Sequence, residues 1–143
     1  MPGRFLKYVL VSVISLLSLS AYSAEGENGN GRYQVQIDIR EAYIGGICIM
    51  HNDGEYVTAS IVNEFGVSAL TCRYDLRKGK VRILGVVGPL NRPSVKRVLR
   101  ADLKVIMAQF CREDFHIADK YVYENSRYDI LYTFKPMSYE ITE

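Results

Sequence analysis

Apolar and polar positions alternate along the chain from about residue 33 onward. Over residues 33–39 every second side chain is apolar, namely Tyr33, Val35, Ile37 and Ile39. This period of two is typical of a strand with one buried face. Further extended segments follow at residues 44–50, 55–63, 67–75 and 80–87, with Asn, Asp and Gly in the turns between them. Such short connections predict an antiparallel meander of five strands.

The pattern becomes helical after Gly88-Pro89, because apolar residues then recur at intervals of three and four up to Phe110. Asn91 is the predicted N-cap, and Pro93 falls in the first turn, where its missing N–H costs nothing. One carboxylate, Asp102, interrupts the edge of the apolar stripe. The stripe must pack on another element, and the sheet is the only large candidate.

Two more strands are predicted at residues 121–123 and 128–134, and another begins at residues 139–141. The predicted fold class is therefore α+β. It is a curved antiparallel sheet, an unclosed barrel of about 5–8 strands, with one main amphipathic helix on its concave face.

The second predicted strand is apolar on both faces. Ile47 and Ile49 point to one side, and Cys48 and Met50 point to the other. Either protein covers both faces, or one face lines a cavity between the sheet and the helix that takes an apolar ligand. A filled core is the more frequent outcome of such a pattern. The candidate lining residues of this cavity are Ile47, Ile49, Val57, Ile61, Val98, Leu99, Leu103 and Met107.

The N-terminus has the features of a secretion signal. Arg4 and Lys7 form a short basic region, an apolar run follows, and Ala21-Tyr22-Ser23 offers small residues at the cleavage positions. The apolar run is shorter than the ~20 residues of a membrane-spanning helix. We therefore expect cleavage and a periplasmic location. The predicted organisation is a signal peptide at residues 1–23, a flexible tail at residues 24–31 and a single domain at residues 32–143.

Charge is distributed unevenly in a composition that is otherwise that of a globular protein, with 48% hydrophobic and 24% charged residues. Residues 73–104 contain ten basic and two acidic residues. One interpretation is a surface that contacts anionic lipid head groups or another acidic partner. The other is a solvated helix face with lysine-rich turns. The helical candidates for an anionic contact are Arg92, Lys96, Arg97, Arg100 and Lys104.

No combination of residues matches a catalytic or metal-binding motif. His51 is expected in a turn and His116 in the connection after the helix, and neither has the spacing of a metal ligand. One predicted strand separates Cys48 from Cys72 by about 10 Å, more than the roughly 7 Å that a disulfide allows, so these residues and Cys111 are expected as buried free thiols. We therefore expect a non-enzymatic protein without metal or cofactor. Nucleic-acid binding is not expected, because the strands lack an aromatic motif that stacks on bases.

Three short motifs follow one another in an order that resembles a known family. They are the strand Gly46-Ile-Cys-Ile-Met50, the hairpin Ser60-Ile-Val-Asn-Glu-Phe-Gly66 and the helix entry Pro89-Leu-Asn-Arg-Pro93. After a signal peptide, this order resembles the periplasmic lipoprotein carrier LolA and the outer-membrane receptor LolB. It looks in particular like a branch of that group with Asn-Glu-Phe-Gly in the third hairpin. The resemblance covers about residues 33–134.

The resemblance implies an unclosed β-barrel with a helical lid, whose cavity holds acyl chains. It implies acyl chains or a lipoprotein as partners, with peripheral membrane contact, and the soluble type, because the lipidated Cys that anchors LolB is lacking. The leading hypothesis is a secreted lipid- or lipoprotein-binding carrier with a chaperone-like role. The alternative is a ligand-free protein-interaction module of a cell-envelope complex, which would bind an envelope protein through a sheet edge or the basic face.

Overall fold

The computed structural model describes residues 29–40 and 42–137. Within these residues it contains seven strands and one α-helix. The strands are β1 (Gly31–Ile39), β2 (Ala42–Asn52), β3 (Tyr56–Val62), β4 (Ser68–Asp75), β5 (Lys80–Val86), β6 (Tyr121–Asn125) and β7 (Ile130–Pro136), and helix α1 (Pro93–Phe110) connects β5 to β6. The predicted signal peptide and the predicted strand at residues 139–141 lie outside the described residues.

All seven strands form one antiparallel sheet in the order β5-β4-β3-β2-β1-β7-β6. Strands β1 to β5 make the predicted meander, and β7 returns along the other side of β1, with Phe134 opposite Val35. The sheet curves into a half-barrel, and α1 joins its two edge strands. The predicted α+β class, with an open curved sheet and one helix, is confirmed.

The core lies between the concave face of the sheet and one face of α1. On β1, Tyr33, Val35 and Ile37 are buried, while the residues between them face the other side. The ring of Phe110 on α1 lies 5.1 Å from that of Tyr33 and 5.0 Å from that of Phe134. These edge-on contacts attach the C-terminal half of the helix to β1 and β7.

Asp102 is buried on the face of α1 that packs against the sheet. Its Oδ2 atom accepts a hydrogen bond of 2.7 Å from the hydroxyl of Tyr132 on β7. The amide of Asn125, at the end of β6, donates to both carboxylate oxygens at 2.9 and 3.1 Å. The carboxylate that interrupts the apolar stripe is therefore a polar attachment of the helix to the β6–β7 hairpin.

The helix begins one residue later than the sequence predicts. A short 3₁₀ turn, Gly88–Leu90, precedes it, and the N–H of Asn91 is bonded to the carbonyl of Gly88. The N-cap is Arg92, in an extended conformation, and no side chain caps the first turn. Proline disfavours a helical conformation for the residue before it, so Pro93 sets the first helical position. The prediction of Asn91 as N-cap is therefore wrong.

The predicted flexible tail is also too long at its C-terminal end. Strand β1 already begins at Gly31, and Gly29 is buried against Val57 and Cys111. The side chain of Asn30 accepts a hydrogen bond of 2.9 Å from the N–H of Asn52. These contacts attach the segment to the fold. Position 29 requires glycine, because its φ is +80° and a side chain there would collide with Val57.

Candidate functional site

An apolar groove of about 600 Å³ lies at one end of the half-barrel, which we call the mouth. It is formed where β1 ends and β2 begins, by the β3–β4 hairpin, and by the segment between β5 and α1. In an antiparallel meander these points fall at the same end of the strands. The apolar side chains that line it are Ile39, Ala42, Tyr43, Ile44, Phe65, Ala69, Val87 and Leu90.

The β3–β4 hairpin is shaped by Asn63. Its side-chain oxygen accepts hydrogen bonds of 3.0 Å from the N–H groups of Phe65 and Val67, and Gly66 supplies the positive φ that the turn requires. The turn presents Phe65 to solvent with 80% of its surface exposed. On the other rim of the groove, Tyr43 is 72% exposed. The mouth therefore displays two aromatic rings that the fold itself leaves uncovered.

Two glycines form part of the groove wall, where β2 passes β3. A Cβ atom at Gly46 would collide with the backbone carbonyl of Val62, and one at Gly45 would touch the ring of Tyr43 at 3.4 Å. Gly46 therefore allows the backbones of β2 and β3 to approach each other closely.

Among the described residues that line the groove, Glu64 is the charged one. Basic residues follow immediately: Arg92 comes two residues after Leu90 and is exposed, and Arg97 is exposed one turn further along α1. The predicted basic residues lie along the helix as expected, with Arg92, Arg97, Arg100 and Lys104 exposed and Lys96 half-buried. None of these five forms a salt bridge with a described residue.

The groove does not lie between the sheet and the helix, where the sequence predicts a cavity. Most of its candidate residues are core residues with 0–4% of their surface exposed, and Val98 is half-buried. None of them lines the groove. The buried candidates are Val57, Ile61, Leu99, Leu103 and Met107.

The prediction is wrong for Ile47 and Ile49. They are 40% and 42% exposed and lie on the convex face of the sheet. Successive side chains of a strand point to opposite faces, and Cys48 and Met50 are the ones that enter the core. Ile47 instead lines a second, more polar groove of about 580 Å³ on the convex face, beside Gln34, Gln36 and Lys135.

The cysteines are free thiols, as the sequence predicted, with Cys48 and Cys72 buried and Cys111 half-buried. Burial raises the pKa of Cys72 to about 12 and that of Cys111 to about 11, and it also raises the pKa of Cys48. All three are therefore protonated, and weak nucleophiles, at neutral pH. Both histidines are exposed, and the described residues contain no group of three potential metal ligands.

Sequence reasoning missed the groove because its wall comes from segments that are distant along the chain. The available signals were an aromatic residue, Phe65, in the third hairpin and the adjacent glycines Gly45 and Gly46 in the second strand. The helix of the described region lacks the apolar length that a membrane span requires.

Comparison of the chain with protein-family models, curated proteins and solved structures gives no significant match. The resemblance to the LolA and LolB group therefore stays a prediction from short motifs.

Proposed function

We propose that this protein is a non-enzymatic binding module of the cell envelope that holds an acyl chain, of a lipid or a lipoprotein, in the groove at the mouth. The observation that carries the proposal is an apolar groove of about 600 Å³ with two exposed aromatic rings on its rim. Its volume falls within the roughly 300–1,000 Å³ of small-molecule sites. The resemblance to LolA and LolB favours the same ligand class.

The open shape of the groove limits the affinity. A chain of about 14 methylenes would gain about 11 kcal/mol if it were fully buried. It would lose at least about 4 kcal/mol of translational and rotational freedom. A Kd of about 10 µM is therefore the tightest to expect for a single chain, and a partly exposed chain would bind more weakly.

The test uses the protein purified without detergent and extracted with organic solvent for mass spectrometry, followed by titration with a fluorescent long-chain fatty acid. We expect saturable binding of the fatty acid with a Kd of about 10 µM or weaker, and this titration is the deciding result because most of a ligand bound so weakly is lost during purification. Replacing the exposed Ala42 with Trp places an indole in the groove and should abolish binding. The matched control is Ala108→Trp, at an exposed position of α1 that does not line the groove.

Unchanged binding by Ala42→Trp would show that the fatty acid binds elsewhere. A protein that carries no lipid and takes up no fatty acid would overturn the proposal. Circular dichroism of both variants should match that of the wild type, because both substitutions are on the surface.

The alternative, a ligand-free interaction module, is favoured by the exposed isoleucines of the convex face. Ile47 and Ile49 lie side by side in the middle of the sheet, where a protein surface could cover them. A photo-crosslinking residue at position 49 would then trap one protein reproducibly in the envelope. If the leading proposal is correct, a photo-crosslinking residue at position 43, in the groove, would trap lipid instead.

A further inference from the structure

We infer that the mouth docks on an anionic phospholipid bilayer, with an acyl chain in the groove and the lipid phosphates on the first turns of α1. This inference rests on the proposed function, since it requires that the groove accepts an acyl chain. It adds the chemical class of the head group and the residues that select it. The residues are Arg92, Lys96, Arg97 and Arg100.

The groove and the basic residues are adjacent. Leu90 lines the groove, and two residues span at most about 7 Å, so Arg92 lies at its edge. Lys96 and Arg97 follow in the next turn of α1, and Arg100 lies about 10 Å along the helix from Pro93. An amphiphile with its chain in the groove would therefore have its phosphate within reach of several long cationic side chains.

No described residue compensates the charge of these cations. None of the four forms a salt bridge with a described residue, and the first turn of α1 contains no acidic residue. The two carboxylates of the basic block are engaged elsewhere. Asp102 is buried on Tyr132 and Asn125, and Asp75 accepts backbone hydrogen bonds in the β4–β5 turn.

A bilayer fits this surface better than an acidic protein does. The mouth offers exposed aromatic rings, an apolar groove and cations side by side, and an anionic bilayer presents phosphates directly above its hydrocarbon. An acidic protein surface would satisfy the cations but would leave the groove empty. Among the described residues that line the groove, the exposed Glu64 is the one that opposes the attraction, a single charge against four.

The experiment measures binding of residues 24–143, the chain without its predicted signal peptide, to vesicles of phosphatidylcholine, with and without one third phosphatidylglycerol. We expect preferential binding to the anionic vesicles, and we expect roughly 1 M salt to abolish the preference. The double variant Arg92→Glu/Arg97→Glu should lose at least about tenfold in affinity for anionic vesicles, because each cation near such a surface contributes substantially.

The matched control is Arg77→Glu/Lys78→Glu, which makes the same change in net charge. These exposed residues lie in the turn at the other end of β4, about 20 Å from the groove, beyond the ~8 Å over which salt screens charges. We expect a loss of less than about threefold. Equal losses in the two double variants would overturn the inference, because they would show that net charge alone attracts the protein.

A fluorescent fatty-acid methyl ester separates the two proposals, because it has the acyl chain without a charge. Wild type and both double variants should bind it equally. If they bind it but do not distinguish anionic from neutral vesicles, this inference fails and the proposed function stands. If wild type does not bind it, both fail, even where anionic vesicles bind. If Ala42→Trp leaves vesicle binding unchanged and soluble polyglutamate competes fully, the basic face binds acidic protein and the inference is wrong.

Discussion

Gly46 is the described glycine with the least room for a side chain. A Cβ atom there would collide with the carbonyl of Val62, a backbone atom that cannot move without disturbing the β2–β3 pairing. We predict that Gly46→Ala destabilises the protein by about 1–3 kcal/mol, the usual cost of overpacking. Urea unfolding measures the change.

The matched control is Gly85→Ala on β5, where an added Cβ meets no atom within 4 Å and φ is not positive. There we expect no loss, and a small gain from the reduced entropy of the unfolded chain. Equal stabilities of the two variants would show that β2 and β3 are further apart than described.

Asp75 makes the stability of the β4–β5 turn dependent on pH. Its Oδ1 atom accepts backbone hydrogen bonds from Lys78 at 3.0 Å and Arg77 at 2.9 Å. The bond from Lys78 is the main cause that holds the pKa of Asp75 below its ordinary value; desolvation opposes it, and the bond from Arg77 adds a further, smaller lowering. Because the folded-state pKa is lowered, the ionised form favours the fold. This contribution is complete above the unfolded pKa of about 4 and disappears as the pH falls through the folded pKa.

We therefore predict that NMR titration finds the Asp75 carboxyl below the ordinary range of Asp, and that urea stability falls below about pH 4. Asp75→Asn, which retains an oxygen acceptor for the turn, should reduce this pH dependence. The variant will not abolish it, because backbone bonds from Tyr56 and Glu55 also lower the pKa of Asp53. An unshifted Asp75 would contradict the turn geometry.

At the scale of elements, the attachment of α1 depends on a buried carboxylate with two neutral donors. We predict that Tyr132→Phe destabilises the protein by about 1.5–3 kcal/mol, because it removes a hydrogen bond to a charged, buried group. The nearby Tyr123→Phe is the matched control, since Tyr123 packs against Tyr132 but has no hydrogen bond to Asp102. The two unfolding midpoints give the comparison. Equally small losses of stability in both variants would show that the hydrogen bond from Tyr132 to Asp102 contributes little to the stability of the protein.

The elements themselves were largely predictable from local patterns. Alternation gave the strands of the meander, and the period of three and four gave α1. The helix start was missed because Pro93 outweighed the capping preference of Asn91. Which face of β2 is buried could not be derived, because both faces are apolar. It is decided by the pairing of β1 with β7, about 95 residues later in the chain, and by the position of α1.

At the scale of the molecule, the candidate site required the fold. The groove joins residues that are far apart in sequence, namely Ile39, Phe65 and Leu90. They meet only because the antiparallel pairing brings their segments to one end of the half-barrel. The basic stripe, in contrast, was visible in the sequence, because the i, i+4 spacing of a helix places its members on one face. What the sequence could not decide was whether carboxylates neutralise it. The structure places the two within the block in other contacts.

The spacing of Lys96, Arg100 and Lys104 places like charges next to one another on α1, which lowers the stability of the protein. One substitution at this stripe should therefore have opposite effects on stability and on vesicle binding. Like charges at i, i+4 repel, whereas Glu at position 100 would face a lysine on each side. We predict that Arg100→Glu raises the free energy of unfolding by about 0.5–1 kcal/mol and weakens binding to anionic vesicles. The stability of Arg100→Gln should fall between that of the wild type and that of Arg100→Glu, because glutamine removes the repulsion without adding attraction. Urea unfolding and vesicle binding on the same samples measure both effects. A loss of stability in Arg100→Glu would mean that the stripe supports the fold. A gain in stability with reduced vesicle binding would mean that the cations are present for a partner.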